Sequence, residues 1–385
     1  MTLEEARDYA RAALRIKNTQ EAWSITHQVL DVAPRDPDTL LLAAEIEASL
    51  GHFAVARLMV NRALAVAPQF SAALDFRGRL ATFDFRAAAE QYVSGYLALR
   101  ARHMDYPANI QLETVGRCNA HCGFCPHDEL ERASEEMSDA LYEKIIREVS
   151  AIPPGIPVNV FLNVVNEPFM DKKIFERIAL LNLAIPRATL GLYTNLNVLP
   201  PGFFEKIRNV RRLTYFNVSF NAANEPEYRE SMRLDFKRTV SHIRKLLDAN
   251  RSQHFFDCPV ILSRIATGDG GDTRFEQECA NLFAEFDCGR EFLPMCKRRT
   301  NWLGYQASAR TPIPFLMPCA QWLDISVHCN GVVPHCCMDA RGTFALGNAK
   351  ERSLLEIYNQ PNFRNYRETL AGRETVYPCN TCALI

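Results

Sequence analysis

The stretch TVGRCNAHCGFCPHDE, residues 114–129, decides the fold and places Cys118, Cys122 and Cys125 within eight positions. No fourth cysteine lies nearby. Four thiolates close a structural zinc site, whereas three leave one coordination position open, as catalytic metal sites do. Immediately before the cysteines, NIQLETV at 109–115 has the composition of a β-strand. The stretch therefore predicts a metal centre with an open position at the end of a strand.

Strand-like and helix-like segments alternate six times downstream of residue 108. Strands separated by helical segments are typical of a parallel sheet, and nearly continuous apolar strands indicate burial on both faces. Six units fall short of the eight of a closed barrel. We therefore predict an α/β fold, a partial (β/α)6 TIM-like barrel over residues 105–305, with its active site at the carboxyl ends of the strands. The predicted strands lie at 109–115, 158–169, 188–197, 213–221, 258–265 and 289–295.

The C-x3-C-x2-C spacing after the first strand resembles the radical S-adenosylmethionine (SAM) superfamily. The resemblance implies a 4Fe–4S cluster on Cys118, Cys122 and Cys125, whose open iron binds the amine and carboxylate of SAM. One electron then cleaves SAM to methionine and a 5′-deoxyadenosyl radical, which abstracts a hydrogen atom from the substrate. An electron donor of the flavodoxin or ferredoxin type is also implied. A zinc site is the alternative for these cysteines.

The same resemblance implies further SAM contacts at the ends of the strands. Phe124 matches an aromatic position beside the adenine, and Glu167 of Asn-Glu-Pro matches a Gly-Glu-Pro motif whose carboxylate accepts from the SAM amine. Asparagine in place of that glycine departs from the family pattern. The other candidate cofactor-binding residues are Asn195, Ser219 and Arg264, each near the end of a predicted strand, with roles in turns, caps or substrate contacts as the alternatives.

A second group of six cysteines occupies residues 319–382. A Gly-x-x-x-x-Cys hairpin after Asn-Gly, a Leu-Gly-Asn stretch and a predicted helix over 353–372 resemble the SPASM or shortened twitch extension of radical SAM enzymes. We predict that this domain spans residues 306–385. The resemblance implies one auxiliary 4Fe–4S cluster, with a structural zinc as the alternative. Its implied ligands are Cys319, Cys336, Cys379 and Cys382, with Cys337 as the alternative to Cys336.

Cys329 and Cys337 remain after these assignments and are the candidate catalytic residues. A thiol beside a substrate radical can donate a hydrogen atom from the opposite face, as an epimerase requires. The alternative is a small buried side chain. The basic and aromatic run CKRRTNWLGYQ at 296–306 predicts either a solvated linker or a polar substrate pocket lined by Lys297, Arg298, Arg299, Asn301 and Trp302.

The first hundred residues repeat with a period of 34. Ala22 aligns with Ala56, Val29 with Ala63 and Pro34 with Pro68, and Ala44 then aligns with Gly78. Small residues where helices cross, and a proline after the second helix, resemble tetratricopeptide repeats. We predict a helical repeat domain over residues 1–104. It either caps the next domain or binds a peptide or protein partner.

Overall composition and charge limit the classes of partner that the protein is expected to bind. The 385 residues carry a formal net charge of −1, and 48% are apolar, which is typical of a globular protein. At this net charge no global field favours nucleic acid or an anionic membrane, and no apolar run is long enough to span a bilayer. We therefore expect a cytoplasmic protein that binds neither nucleic acid nor membrane.

Three functions fit the sequence. The first is a radical SAM epimerase or dehydrogenase that acts on a small polar natural-product substrate, such as a sugar or nucleotide-sugar. The second is a maturase of a ribosomally made peptide. The third is a repeat scaffold with structural metal sites and no enzymatic activity.

Overall fold

The computed structural model describes residues 2–16, 18–49, 53–82, 85–256, 258–268, 270–297, 299–305 and 318–382. The fold divides into two compact units, Met1–Tyr92 and Val93–Ile385. Within the described ranges, no helix combines the length and the apolarity that a membrane crossing requires. The predicted domain boundaries at 104/105 and 305/306 stay predictions.

The first unit consists of helices in which consecutive members contact one another. The first helix begins with a capping box, in which Thr2 and Glu5 each bond the other's backbone N–H. The last helix starts in this unit and crosses into the second. The helices are α1 Leu3–Arg15, α2 Thr19–Val32, α3 Pro37–Ser49, α4 Phe53–Val66, α5 Ser71–Thr82 and α6 Phe85–His103.

The 34-residue offset corresponds to equivalent positions on α2 and α4. Ala22 and Ala56 are fully buried, and both helices end two residues before their prolines, Pro34 and Pro68. Ala44 and Gly78, which the repeat aligns, are not equivalent in packing. Ala44 is fully buried, but Gly78 is exposed, and a Cβ added there would meet no atom within 4 Å.

The second unit is centred on a sheet of seven parallel strands. Their order across the sheet is 6-5-4-3-2-1-7, so each of the first six strands pairs with its neighbour in sequence. The strands are β1 Asn109–Leu112, β2 Asn159–Phe161, β3 Thr189–Thr194, β4 Leu213–Ser219, β5 Val260–Ile265, β6 Phe292–Lys297 and β7 Asp324–Val327.

The α/β prediction of a parallel, TIM-like partial barrel is confirmed, and the structure adds a strand. β7 pairs in parallel with the free side of β1, from Asn109 opposite Asp324 to Leu112 opposite Val327. It comes from the segment assigned to the cysteine-rich extension, and the sequence analysis did not predict it. A strand of four residues, Asp-Ile-Ser-Val, without a preceding α-helix lacks the strand–helix alternation used for the other six, so only the pairing partner reveals it.

Helices connect consecutive strands and cover one face of the sheet. Ser138 caps the N-terminus of α7, because its side chain accepts the backbone N–H of Leu141. The helices of this part are α7 Asp139–Ser150, α8 Ile174–Ala184, α9 Phe203–Ile207, α10 Glu225–Met232, α11 Phe236–Gln253 and α12 Gly271–Leu282.

Alternate residues give the sheet two different faces. Residues such as Ile110, Val160 and Leu192 are buried in the large apolar core that includes the helices. The residues between them, such as Gln111 and Tyr193, remain half-buried. The face opposite the helices is therefore partly polar and accessible, and we call it the inner face. Its members include Gln111, Phe161, Tyr193, Tyr215, Asn217, Ser263, Lys297 and Ser326.

The cysteine-rich extension continues from β7 through a tight turn at Asn330-Gly331, where Gly331 has a φ of +92°. Strand β8 Val332–Val333 then pairs with β9 Gly347–Asn348 in antiparallel fashion. The single helix predicted over 353–372 is wrong. Two helices, α13 Leu354–Tyr358 and α14 Pro361–Thr369, occupy it, because Pro361 cannot donate to the preceding turn and starts a new helix.

Candidate active site

The three-cysteine loop follows the carboxyl end of β1, as predicted. Close packing of Gly116 permits its path, since a Cβ there would lie 2.0 Å from the carbonyl oxygen of Arg132. The backbone N–H of Cys125 donates to the carbonyl of Cys122 at 3.0 Å. The Cys122 sulfur lies 3.3 Å from the Met232 sulfur at the end of α10. The turn that carries the thiols is therefore held by the close packing of Gly116 and by the contact with Met232.

The surroundings of these thiols disfavour free thiolates. Burial raises the pKa of Cys118 to about 12 and that of Cys125 to about 11. Burial raises the pKa of Cys122 as well, and the charges of Cys125 and Cys118 raise it further. Three crowded, desolvated thiolates require positive charge supplied by a ligand, which fits a metal cluster.

Glu167 lies beside this loop in a fully formed hydrogen-bond pocket. Its Oε1 accepts from Thr194 Oγ1 at 2.7 Å and from the N–H of Phe169 at 3.1 Å. Its Oε2 accepts from the N–H of Asn195 at 2.6 Å. Burial raises the pKa of Glu167 to about 7, and these hydrogen bonds oppose the rise. About four acceptor positions are available to a carboxylate, so one remains for a ligand amine.

Asn195 connects the end of β3 to the cysteine loop. Its Nδ2 donates to Oδ1 of Asn119, the residue after Cys118, at 2.8 Å. Its Oδ1 accepts the N–H of Asn197 at 2.9 Å. The structure therefore brings Asn195, Glu167 and the cysteine loop together at the carboxyl ends of neighbouring strands. Asn119, which the sequence analysis did not select, is the connecting residue.

The other predicted SAM contacts differ in their surroundings. Phe124 is half-buried, and its carbonyl accepts from the indole N–H of Trp302 at 2.9 Å. Ser219 is half-buried at the end of β4. Arg264 is buried and donates to Asp272 at 2.8 Å and to the carbonyl of Asn221 at 2.6 Å. The SAM-binding roles of these three residues stay predictions.

The four predicted auxiliary ligands lie in the extension, in or beside its buried core. Burial, followed by the charges of Cys337, Cys319 and Cys379, raises the pKa of Cys336 well above its ordinary value. The pKa of Cys379 rises to about 12 through burial, with Cys319 and Cys382 adding to the effect. These mutual effects require proximity. They support Cys336 as the ligand and fit a second cluster on the four thiols.

A histidine that the sequence analysis missed contacts this group. His335 Nε2 lies 3.2 Å from the sulfur of Cys379, and both side chains are buried. Burial lowers the pKa of His335 to about 4, so the imidazole is neutral. A neutral N–H directed at a thiolate stabilises a cluster ligand without adding charge. The position of His335 directly before Cys336 was the available signal.

The two spare cysteines occupy different environments. Cys329 is 1% exposed, and its backbone N–H donates to Glu113, which forms a buried ion pair with Arg132. Cys337 is half-buried, and its thiol donates to Oε1 of Gln321 at 3.2 Å. Cys337 also interacts with Gln111 and Tyr193 of the inner face. Of the two thiols, Cys337 is the one beside the accessible face.

The predicted basic pocket after β6 is only partly realised. Asn301 Nδ2 donates to the carbonyl of Thr381 at 2.8 Å, and Trp302 holds the cysteine loop, so both contact the protein itself. Lys297, in contrast, extends along the inner face. Arg298 lies outside the described residues.

Comparison with known sequences identifies two domains. The model of the radical SAM superfamily matches residues 112–264. The model of SPASM, an iron–sulfur cluster-binding domain, matches residues 319–383. No curated protein sequence matches the chain.

Two solved structures share the fold. BtrN in complex with AdoMet and 2-DOIA is 18% identical, with a TM-score of 0.50 over 71% of this chain and 92% of BtrN. SuiB of Streptococcus suis bound to its precursor peptide SuiA is 12% identical, with a TM-score of 0.52 over 85% of each chain. Identities this low establish similarity of fold.

Proposed function

Because the chain belongs to the radical SAM superfamily and carries a SPASM domain, we propose that it is an epimerase of a small, polar, sugar-like molecule. It is a radical SAM enzyme, and its cofactors are SAM, a SAM-binding 4Fe–4S cluster and auxiliary iron–sulfur. We assign the SAM-binding cluster to Cys118, Cys122 and Cys125, and a single auxiliary cluster to the four thiols of the extension.

Cys118, Cys122 and Cys125 would hold the SAM-binding cluster, which when bound would supply the electron for reductive cleavage of SAM and so the means to abstract a substrate hydrogen atom. The residues of the chain position the reactants. Glu167 offers its remaining acceptor position to the SAM amine, and Thr194 and Asn195 hold that carboxylate in place. Asn119 connects this pocket to the cysteine loop, so SAM and its cluster share one support.

The position of Cys337 carries the epimerase proposal. Its thiol interacts with Gln111 and, through charge, with Tyr193 of the inner face as well as with Cys319, whereas Cys329 is buried next to the Glu113–Arg132 ion pair. A substrate on that face would meet the Cys337 thiol. The S–H bond breaks as a C–H bond forms at the substrate carbon. An electron from a flavodoxin- or ferredoxin-type donor and a proton from water then restore the thiol.

The test uses the full chain, reconstituted anaerobically with iron and sulfide and reduced with dithionite. A panel of sugars and nucleotide-sugars is incubated with it in D2O. An epimerised product with one deuterium at the inverted carbon, formed together with 5′-deoxyadenosine, is expected. Cys337→Ala should form 5′-deoxyadenosine without epimer, because the radical is made but not quenched. Cys288→Ala, which changes an exposed cysteine, serves as the matched control.

Dehydrogenation is the second candidate, because the auxiliary cluster could accept the second electron of the substrate. An oxidised product without deuterium, formed equally by the Cys337→Ala variant, would replace the epimerase proposal with this one.

Peptide modification remains the third candidate. The structure of SuiB is bound to a precursor peptide, and the helices of the first unit could bind such a partner here. Capture of a peptide by the full-length chain, with 5′-deoxyadenosine formed only in its presence, would favour this function over the epimerase. We do not propose the function of a non-enzymatic scaffold, because the family assignment supports an enzyme.

A further inference from the structure

One lysine lies on the inner face of the sheet within a cluster of aromatic and polar side chains. Lys297 ends β6, and its Nζ donates to the hydroxyl of Tyr215 at 2.9 Å and to Oδ1 of Asn217 at 2.6 Å. The same Nζ lies 4.7 Å from the ring centre of Tyr193. Cation–π contacts of this kind favour the charged ammonium.

The acceptors around Lys297 are themselves held in place. Asn217 Nδ2 donates to Ser263 Oγ at 2.9 Å, which fixes the amide so that its oxygen faces the ammonium. Tyr193 donates its hydroxyl hydrogen to the Tyr215 hydroxyl at 3.1 Å. An ammonium group has three donors. Two are used by Tyr215 and Asn217, so the third is available to a ligand.

Aromatic rings surround this available donor. The ring of Phe161 lies 6.1 Å from those of both Tyr193 and Tyr215, which are 5.1 Å apart. Gly191 makes room for the Phe161 ring, since a Cβ on Gly191 would lie 2.1 Å from it. The cluster thus combines one cation with flat apolar walls.

The charge of Lys297 has no anionic partner in the structure. Among the described residues, no carboxylate lies within salt-bridge distance of its Nζ, and its described partners are neutral oxygens and rings. A partly buried cation without a counter-ion is costly. Burial accordingly lowers the pKa of Lys297 to about 8. An anion placed beside the third donor would relieve this cost.

We propose that Lys297 binds an anionic oxygen group of the substrate, a carboxylate or a phosphate, with Phe161, Tyr193 and Tyr215 as the walls of that site. The inference rests on the proposed function, because it identifies the class of molecule that the inner face binds. It narrows the polar substrate to a hydroxyl-rich acid or phosphate ester. Cys337 interacts electrostatically with Tyr193, one wall of this site, so the site and the proposed hydrogen donor belong to the same region of the inner face.

The site has a defined pH dependence. The titratable groups that face Lys297 are Tyr193 and Tyr215, and burial raises the pKa of both phenols, so they stay neutral. Lys297 is charged below about pH 8 and neutral above it. Anion binding should therefore be strongest below that pH and weaken as the lysine loses its proton. A bound anion should in turn raise the pKa of Lys297.

The test is amine labelling of the full, anaerobically reconstituted chain with acetic anhydride, measured by mass spectrometry across pH. Inorganic phosphate and acetate are the probes. Lys297 should titrate near pH 8, and a saturating probe should slow its labelling about tenfold and raise its pKa. Lys245, an exposed residue of α11, provides the reference within the same molecule and should label at the same rate with and without the probes.

A variant series gives a second measurement. Lys297→Met should bind inorganic phosphate or acetate, measured by isothermal titration calorimetry because the labelled amine is gone, about 10- to 100-fold more weakly, as expected for loss of a charge-assisted hydrogen bond. Lys297→Arg should retain part of the affinity, and Lys245→Met should retain all of it. Protection by phosphate alone would identify a phosphate ester, and protection by acetate alone a carboxylate.

Unchanged Lys297 labelling with both probes would overturn the inference and leave Lys297 a structural residue bonded to Tyr215 and Asn217. Failure of the proposed function has a different signature, since the wild-type chain would then form no epimer with deuterium from D2O, whatever the state of Lys297. The measurements therefore distinguish failure of the anion-binding inference from failure of the proposed function.

Discussion

At the scale of single residues, Cys336 and Cys337 are adjacent in sequence but differ in their neighbours. Cys336 interacts electrostatically with both Cys319 and Cys379, whereas Cys337 interacts with Cys319 and, on the inner face, with Gln111 and Tyr193. The hairpin spacing favoured Cys336 as the ligand, and the proximity of the other thiols supports that choice. The inner-face position of Cys337 is a tertiary feature that spacing does not encode.

His328 is a residue whose burial should be measurable as acid sensitivity. It is 1% exposed, and within the described structure its Nε2 has no hydrogen-bond partner. Burial lowers its pKa to about 4, from an ordinary value of about 6.5. Below about pH 6.5 the unfolded chain binds the proton and the folded chain does not. The free energy of unfolding should therefore fall as the pH drops.

We expect the contribution of His328 to lower the free energy of unfolding by about 1.4 kcal/mol at about pH 5.5 relative to neutral pH. Anaerobic urea unfolding at the two pH values measures the difference. His328→Leu should lose that part of the acid sensitivity, because no imidazole remains to be protonated. His254→Asn is the control, since His254 is exposed and ends α11 in the left-handed conformation that asparagine tolerates. Equal acid sensitivity in wild type and His328→Leu would contradict the prediction.

At the scale of elements, the first five predicted strands form where expected but are shorter than their apolar runs, whereas the sixth, predicted at 289–295, forms at Phe292–Lys297 and so includes Lys297. The run at 158–169 forms a strand only over Asn159–Phe161 and then turns through Asn166 and Glu167 toward the cysteine loop. Periodicity identifies extended chain, whereas a strand requires a hydrogen-bonded neighbour. The remainder of the run carries site residues, as the carboxyl ends of parallel strands do.

Contact between β2 and β3 depends on Gly191. A Cβ at this position would lie 2.1 Å from the ring of Phe161. Gly191→Ala should therefore displace the ring and lower the free energy of unfolding by about 1–3 kcal/mol. Urea unfolding measures this. Gly155→Ala is the matched control, because a Cβ there meets no atom within 4 Å, and it should change stability by less than about 0.5 kcal/mol.

A double variant tests the cause. If the clash with the ring is responsible, Phe161→Leu should recover part of the loss caused by Gly191→Ala, so the two changes would not be additive. Additive losses would show that another contact is affected.

At the scale of the whole molecule, two cysteine groups from distant parts of the chain belong to the same compact unit. That unit contains both matched domains, and β7 joins the extension to the sheet through β1. With the cluster ligands that we propose, one site with an open position and one with four thiolates would lie in the same unit.

We expect about eight iron and eight sulfide per chain after anaerobic reconstitution, from two 4Fe–4S clusters. Cys118→Ala should retain about four iron and lose SAM cleavage, because only the SAM-binding site is damaged. Cys382→Ala should lose the other cluster and keep reductive SAM cleavage. Iron analysis and 5′-deoxyadenosine formation measure these outcomes, and Cys288→Ala should match the wild type in both. Loss of all iron in either variant would contradict two independent clusters.

The sequence alone determined the family, the parallel α/β fold, the two cysteine groups and the proximity of Glu167 and Asn195 to the first of them. Each of these depends on local spacing or on strand ends, which a parallel sheet brings to one edge. The sequence did not reveal β7, the break at Pro361, His335 beside Cys379, or the cluster of Lys297, Tyr193, Tyr215 and Asn217.

These features depend on which strands become neighbours and which alternate side chains then share a face. Tyr193 and Lys297 are more than a hundred residues apart, and only the order of β3, β4, β5 and β6 brings their side chains together. Backbone pairing across the sheet is a long-range interaction, so it decides such contacts after local propensity has selected the strands. The three cysteines of the opening stretch required only their spacing, whereas the inner face required the assembled sheet.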